Sequence, residues 1–406
     1  MTKEEKLAFA GELTYNLTSN ILPYWLSKMT APEGGYYGRR DGNDMLHADE
    51  PRGAILNARI LWTLSAAARF TGDPQYAEAA ARQMRYVADT FIDREYGGVF
   101  WAVNPDGTPS ADKKQFYAIA FTIYGLAEYV RLCGDKEALE LAVELFRCIE
   151  KHSRDNVRGG YFEASARDWS PLADVRLSDK DENASKTMNT HLHILEGYAN
   201  LLRVWPTEEC REATASLLRL FNDVIVDSQT HNLGLFFDDD FRRLDAEISY
   251  GHDIEASWLM FEAAEVIGDA ALLAKTADVT RHVALAALRG RCYDGSMVYE
   301  RHANGHFDNE KHWWVQAENV VGQIYLARFH SATKEASDKA LADALQSWRY
   351  IDSMIVDHEN GEWYWSRMPD GSINRRDDKA GFWKCPYHNS RMCIEAASQL
   401  REMAEE

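Results

Sequence analysis

Gly97-Gly98-Val99-Phe100-Trp101 and Gly159-Gly160-Tyr161-Phe162 are one turn written twice, and that repetition decides the fold. Paired glycines let the backbone reverse through conformations other residues resist, and the aromatic residues that follow give the turn something to bury. The same signature stands at Gly34-Gly35-Tyr36-Tyr37, Gly234-Leu235-Phe236-Phe237, Gly295-Ser296-Met297-Val298-Tyr299 and Gly361-Glu362-Trp363-Tyr364-Trp365. Their first glycines are 63, 62, 75, 61 and 66 residues apart, which divides the 406 residues into six units of near-equal length.

Helix fills each unit. Apolar periodicity predicts pairs over Asn57–Thr71 and Pro74–Thr90, Gln115–Leu132 and Lys136–Ser153, and Thr190–Trp205 and Thr207–Asp227. Two more pairs follow, Ile254–Ile267 with Asp269–Leu288 and Trp313–Thr333 with Glu335–Val356. Segments beside the glycine turns alternate briefly and predict small hairpins, too short for a sheet domain. The amphipathic stretch Asn389–Met403 remains to pair with Leu7–Ile21, which is expected to stop before Pro23. Twelve helices bury every apolar stripe most economically in a closed ring, whereas an open solenoid needs polar caps. The expected fold is therefore all-α, an (α/α)6 barrel forming one domain over residues 1–406.

A net charge of −19 repels polyanions and argues against nucleic acid or an anionic membrane as partner. No apolar run is long enough to span a bilayer, and MTKEEKLAFAGEL is too charged for a secretory signal, so a cytoplasmic location is expected. Six cysteines without a CxxC pair read as free thiols.

In such a ring the inner helices point side chains at a central space, so polar and aromatic residues near their starts are the candidates. Ser249-Tyr250-Gly251-His252-Asp253-Ile254-Glu255-Ala256-Ser257-Trp258 sets an imidazole, a carboxylate and an indole at i, i+3 and i+6, along one side of a helix. Asn189-Thr190-His191-Leu192-His193 places Asn189 and His193 on a shared face, though spacing alone leaves His191 open as the active histidine. Lys311-His312-Trp313-Trp314-Val315-Gln316-Ala317-Glu318 sets Trp314 and Glu318 at i, i+4. In Gly381-Phe382-Trp383-Lys384-Cys385-Pro386-Tyr387-His388-Asn389-Ser390-Arg391, Pro386 breaks the chain and Asn389 or Ser390 can cap the next helix. Indole faces with amides and carboxylates suit sugars. Histidines so widely separated, with no HExxH pattern, suit general acid–base work near neutral pH better than a metal, so no metal is expected. His252 and His388 sit near helix starts, where the dipole disfavours imidazolium and keeps a base neutral.

At these residues the chain resembles the cellobiose 2-epimerases, within the wider N-acylglucosamine 2-epimerase superfamily. The resemblance runs from Asn57-Ala58-Arg59-Ile60-Leu61-Trp62-Thr63 through the four stretches above. It implies an (α/α)6 barrel that inverts C2 of the reducing-end sugar of a β-1,4-linked disaccharide, with a small-molecule sugar as substrate, no cofactor, and a monomer or homodimer as the working form. It implies that His252 and His388 are the acid/base pair, that His193 with Glu255 assists at the enediolate oxygens, and that Arg59 stabilises charge at O1 or O2. It also implies that Tyr117, Asn189, Trp314 and Trp383 line the reducing-end site, that Trp313, Glu318 and Trp258 complete the cleft, and that Ser178 and Asp181 contact the non-reducing sugar. A mannose 2-epimerase shares these motifs. A glycoside hydrolase would instead need two carboxylates, drawn from Glu255, Glu318 and Asp253, and a sugar-binding protein would need none of the histidines.

Overall fold

Five of the helix pairs are each entered through a two-residue strand that is clamped to the end of its own unit. In the computed structural model, which describes residues 1–406, Arg52–Gly53 pairs antiparallel with Ala102–Val103, Lys114–Gln115 with Ala164–Ser165 and Lys186–Thr187 with Phe236–Phe237. Ile248–Ser249 pairs with Glu300–Arg301 and Lys311–His312 with Ser366–Arg367 in the same way. The small hairpins that the alternating segments predict are separate from these pairings: Ala102–Val103 pairs with Pro109–Ala111 and Glu300–Arg301 with Phe307–Asp308.

The helices are α1 (Lys3–Asn16), α2 (Leu22–Tyr24), α3 (Ala54–Thr71), α4 (Pro74–Thr90), α5 (Phe116–Cys133), α6 (Lys136–His152) and α7 (Met188–Val204). They continue as α8 (Glu208–Leu220), α9 (Tyr250–Ile267), α10 (Ala270–Ala287), α11 (Trp313–Tyr325), α12 (Lys334–Tyr350) and α13 (Tyr387–Glu405). α3 packs on α5, α5 on α7, α7 on α9, α9 on α11, α11 on α13, and α13 on α3. Outside them α4, α6, α8, α10 and α12 each pack on the helix that precedes them, and α1 packs on α13. Burial follows this division: every residue of α3 from Ala54 to Ala68 and of α5 from Phe116 to Val130 is buried, while α4 and α6 bury one stripe only. No helix is long and apolar enough to cross a membrane.

Two glycines allow the first crossings. A Cβ on Gly125 of α5 would lie 2.6 Å from the Ala58 carbonyl oxygen, and one on Gly197 of α7 would lie 2.7 Å from that of Ala120. Gly125→Ala must push α3 and α5 apart, and a loss of about 1–3 kcal/mol is expected. A urea melt with an unchanged midpoint would show that the crossing has slack.

The turns share a frame finer than their glycines. Asp93, Asp155, Asp227 and Asp357 each accept two backbone N–H groups of the turn through Oδ1, and their carbonyls accept from Gly97, Gly159, His231 and Gly361. The fourth turn is therefore centred on His231 (φ 61°), not Gly234, three residues earlier than the glycine suggests. Buried lysines complete three of these turns: Lys114 pairs with Asp93, Lys186 with Asp155 and Lys379 with Asp357.

Two sequence expectations fail locally. The first helix does not stop before Pro23: wide turns over Leu17–Ile21 and Trp25–Met29 flank α2 and carry it through. The Leu22 N–H reaches the Leu17 carbonyl five residues back, and this shift of the ladder accommodates the N–H that Pro23 lacks. α13 begins at Tyr387 with Pro386 at its cap, and Asn389 caps nothing; its Nδ2 donates to Glu362.

Candidate active site

Counting from the first residue of each inner helix explains which side chains meet. The second residues include Tyr117, Asn189, Trp314 and His388; the sixth residues of α3, α5, α7, α9 and α11 are Arg59, Phe121, His193, Glu255 and Glu318. The fourth residues face the other way and grip the turn of the preceding unit. Tyr161 N–H donates to His191 Nε2 (2.9 Å), Leu233 N–H to Asp253 Oδ1 (2.8 Å) and Met297 N–H to Gln316 Oε1 (2.8 Å).

That register separates the two candidate histidines of α7. His191 donates through Nδ1 to the Thr187 carbonyl (2.6 Å) and accepts at Nε2, so both nitrogens hold the fold. His193 donates through Nδ1 to Glu196 Oε2 (2.8 Å), and its Nε2 has no protein partner. His388 likewise donates through Nδ1 to Glu318 Oε1 (2.7 Å), and His252 Nδ1 lies 2.7 Å from Ser249 Oγ; again Nε2 is left free. Nδ1 thus fixes each ring, and for His193 and His388, whose Nδ1 partners are carboxylates that only accept, the lone pair lies on Nε2. His252 and His388 stand against the same indole, their ring centroids 4.8 and 5.6 Å from that of Trp314. His193 stands against Tyr117 at 5.0 Å, and Tyr117 against Trp383 at 6.2 Å.

Burial keeps all three imidazoles neutral. It pushes His252 down to about 3, helped by neighbouring His193, and His388 down to about 3 against the pull of Glu318. His193 also lies well below its ordinary value, through burial and then the charges of Arg59 and Arg391. A titration near neutrality, expected from imidazole alone, is thereby displaced to acid. The acid limb of kcat/KM is accordingly expected below pH 6, under the ordinary imidazole value of about 6.5. A limb centred at 6.5 in a pH–rate profile would mean that the acting imidazole is solvated.

Arg391 binds the carboxylates together. Its NH2 donates to Glu255 Oε1 and Glu318 Oε1, both at 2.6 Å, and its NH1 donates to Glu196, which also accepts from the Tyr387 hydroxyl. Burial and the adjacent Glu318 charge raise Glu255, whereas Arg391 and the His388 N–H overcome burial and hold Glu318 low. Glu255, Glu318 and His388 are close enough together to hold a cation, but the guanidinium already supplies the positive charge between the two carboxylates.

Arg59 is buried on α3, donates to the Tyr117 hydroxyl (2.8 Å) and lies over the Phe121 ring at 4.1 Å, with its Nε unpartnered. Asn189 Oδ1 and Trp313 Nε1 are likewise buried without partners. Two residues expected in the cleft, Trp258 and Glu318, bind each other. Trp258 is 1% exposed, packs under the Arg391 guanidinium and donates Nε1 to Glu318 Oε2 (2.9 Å), which leaves Glu318 with both oxygens engaged. Glu318 Oε1 in turn fixes the His388 ring. Ser178 donates through N and Oγ to Asp181 Oδ2, each at 2.8 Å, in the loop before α7. Glu196, Tyr387 and Arg391 were not picked out from sequence. Glu196 follows His193, and Arg391 follows His388, by the three residues that separate Glu255 from His252, so that spacing was the available signal.

Asp253 cannot join a carboxylate pair for hydrolysis, because its Oδ1 and Oδ2 hold Leu233 N–H and Asn232 Nδ2 (2.6 Å) on the far side of α9.

The sequence model of the N-acylglucosamine 2-epimerase (GlcNAc 2-epimerase) family matches residues 35–391. A cellobiose 2-epimerase of Bacteroides fragilis is 51% identical over 386 residues, which cover 95% of this chain and 97% of the relative. One from Ruminococcus albus is 37% identical, over 96% and 98% of the two chains. The solved cellobiose 2-epimerase of Spirochaeta thermophila superposes with a TM-score of 0.91 at 37% identity, covering 98% of each chain. A D-mannose isomerase structure shares the fold with a TM-score of 0.82 at 17% identity.

Proposed function

The chain belongs to the N-acylglucosamine 2-epimerase family, and from that premise we propose that it is one (α/α)6 barrel catalytic domain inverting C2 of the reducing-end glucose of β-1,4-linked disaccharides such as cellobiose and lactose. It is a carbohydrate epimerase, an isomerase. The observation that carries the reading is the set of three imidazoles, each tied at Nδ1 and free at Nε2.

The C2 hydrogen of a closed hemiacetal is weakly acidic, so the ring opens first: O1 loses its proton, O5 gains one, and C1 becomes an aldehyde. A neutral Nε2 of His252 or His388 then takes the C2 proton, and the electron pair moves onto C1–C2 and O1 to give an enediolate. The other of the two imidazoles, having taken a solvent proton at Nε2, delivers it to the opposite face of C2; the first releases its proton to solvent, and ring closure yields the epimer. No electrons are gained or lost and the proton taken is replaced, so the reaction needs no cofactor. Arg59, with Tyr117, stabilises negative charge at O1 or O2, and His193 Nε2 with Glu255 holds the enediolate oxygens. Asn189, Trp314 and Trp383 bind the reducing sugar with the N–H of Trp313. Ser178 and Asp181 meet the second sugar.

Proton NMR of the protein with cellobiose in deuterium oxide tests this. Deuterium at C2 of the reducing sugar and growth of glucosyl-mannose are expected. Exchange with mannose alone would restrict the enzyme to monosaccharides, and release of free glucose would make it a hydrolase.

A further inference from the structure

We propose that Arg391 is a positioning residue shared by two imidazoles, with Glu196 and Glu318 as the arms through which it fixes His193 and His388. A continuous hydrogen-bonded path joins these rings. His193 Nδ1–H donates to Glu196 Oε2 (2.8 Å), Arg391 NH1 donates to Glu196 Oε1, Arg391 NH2 donates to Glu318 Oε1 (2.6 Å), and His388 Nδ1–H donates to that same oxygen (2.7 Å). Every member is almost wholly excluded from solvent, Arg391 at 1%, Glu196 at 4%, Glu318 at 0%, His193 at 2% and His388 at 6%.

The path crosses three inner helices, α7, α11 and α13, and Glu255 ties α9 to the same NH2 (2.6 Å). A guanidinium is planar with its donors in a fixed fork, so two carboxylates bound at its two ends are held at a set separation. An ionised carboxylate accepts only, which obliges each ring to place its proton on Nδ1 and its lone pair on Nε2. Arg391 therefore sets both the spacing of the two rings and their tautomers, while touching neither ring. The other charged or titratable groups facing it are Tyr387 and Glu395 on its own helix, the former accepting from NH1 and donating to Glu196, Tyr124 from α5, and Arg59 from α3, whose charge bears on Glu196. Trp258 closes the guanidinium face at 4.6 Å and donates to the second oxygen of Glu318, so the fork cannot swing away without unpairing that oxygen.

This inference rests on the epimerase reading for its kinetic consequence only, because tautomers are read without substrate. Ring nitrogen shifts of histidine-labelled protein, assigned with His193→Asn and His388→Asn, are expected to show both rings as Nδ1–H tautomers. In Arg391→Lys, whose single ammonium cannot bridge two carboxylates, both rings are expected to lose that uniform state. kcat should fall roughly 10- to 100-fold, with KM within about threefold. Glu196→Gln is expected to disturb His193 directly and His388 through Arg391. The combined loss of kcat in Glu196→Gln/Glu318→Gln should be smaller than the product of the single losses. Unchanged tautomers in Arg391→Lys, or losses that multiply in the double variant, overturn the proposal. Should Arg391→Lys fail to fold, the glutamine variants carry the test. Absence of deuterium exchange in the unaltered protein would instead overturn the epimerase reading.

Discussion

His388→Asn is expected to lower kcat for C2 inversion by about 10²–10⁴-fold, the range of a lost acid–base group. Asparagine suits the test because its amide can still donate to Glu318 Oε1, the partner of His388 Nδ1, and so keeps that carboxylate satisfied. The position is 6% exposed and lies on a helix held by Arg391 and Glu362, so thermal stability should change little. What disappears is Nε2. Deuterium incorporation within threefold of the unaltered enzyme would remove His388 from the chemistry and leave His252 and His193 to share it. His191→Asn makes the counterpart: both of its nitrogens serve the fold, so stability should drop before kcat does.

The largest effect on stability is expected from Lys384→Met. Lys384 and Glu362 are both fully buried and paired, and Glu362 otherwise accepts only from Trp25 Nε1 (3.3 Å) and Asn389 Nδ2 (2.8 and 3.1 Å). Removing the ammonium leaves a buried carboxylate without countercharge, a loss of about 3–5 kcal/mol. Lys384→Met/Glu362→Met should recover a large part of it, because an apolar pair of similar volume needs no compensation. Urea unfolding measures both. A single variant within about 1 kcal/mol of the unaltered protein would mean that water reaches the site. Lys384 also lies over the Trp313 ring at 5.2 Å and follows Trp383, so activity should weaken along with stability.

The paired helices were legible because apolar periodicity is local. The repeat count was legible because a turn needing positive φ is most often written with glycine. The same habit misplaced the fourth turn, where His231 adopts φ 61° and Gly234 merely follows. Pro23 misled for a related reason: the rule that proline stops a helix assumes a regular ladder, and the wide turns on either side remove that premise. At the site, His252, His388 and Asn189 were picked out by residue type and spacing, His193 only as one of two candidates beside His191, and Arg59 only through the resemblance. Their supports were not. Glu196 and Arg391 meet across 195 residues, and Trp258 with Glu318 across 60, so a single helical face shows a carboxylate or an indole without showing what it holds. That is why Glu318 and Trp258 read as cleft residues from sequence, while the partners that take up both Glu318 oxygens, His388, Arg391 and the Trp258 N–H, did not show there.

The packing of α1 on α13 bears on the order of assembly. Lys6 donates to the Met403 carbonyl and Arg401 to Thr14 Oγ1, contacts 397 and 387 residues apart. During synthesis the first helix emerges with no mate, its apolar stripe unburied, until nearly the entire polypeptide has left the ribosome. His388 lies in the helix that relieves it, so the three imidazoles cannot be brought together until α13 has been made, and closing this long loop is the step on which the proposed activity waits.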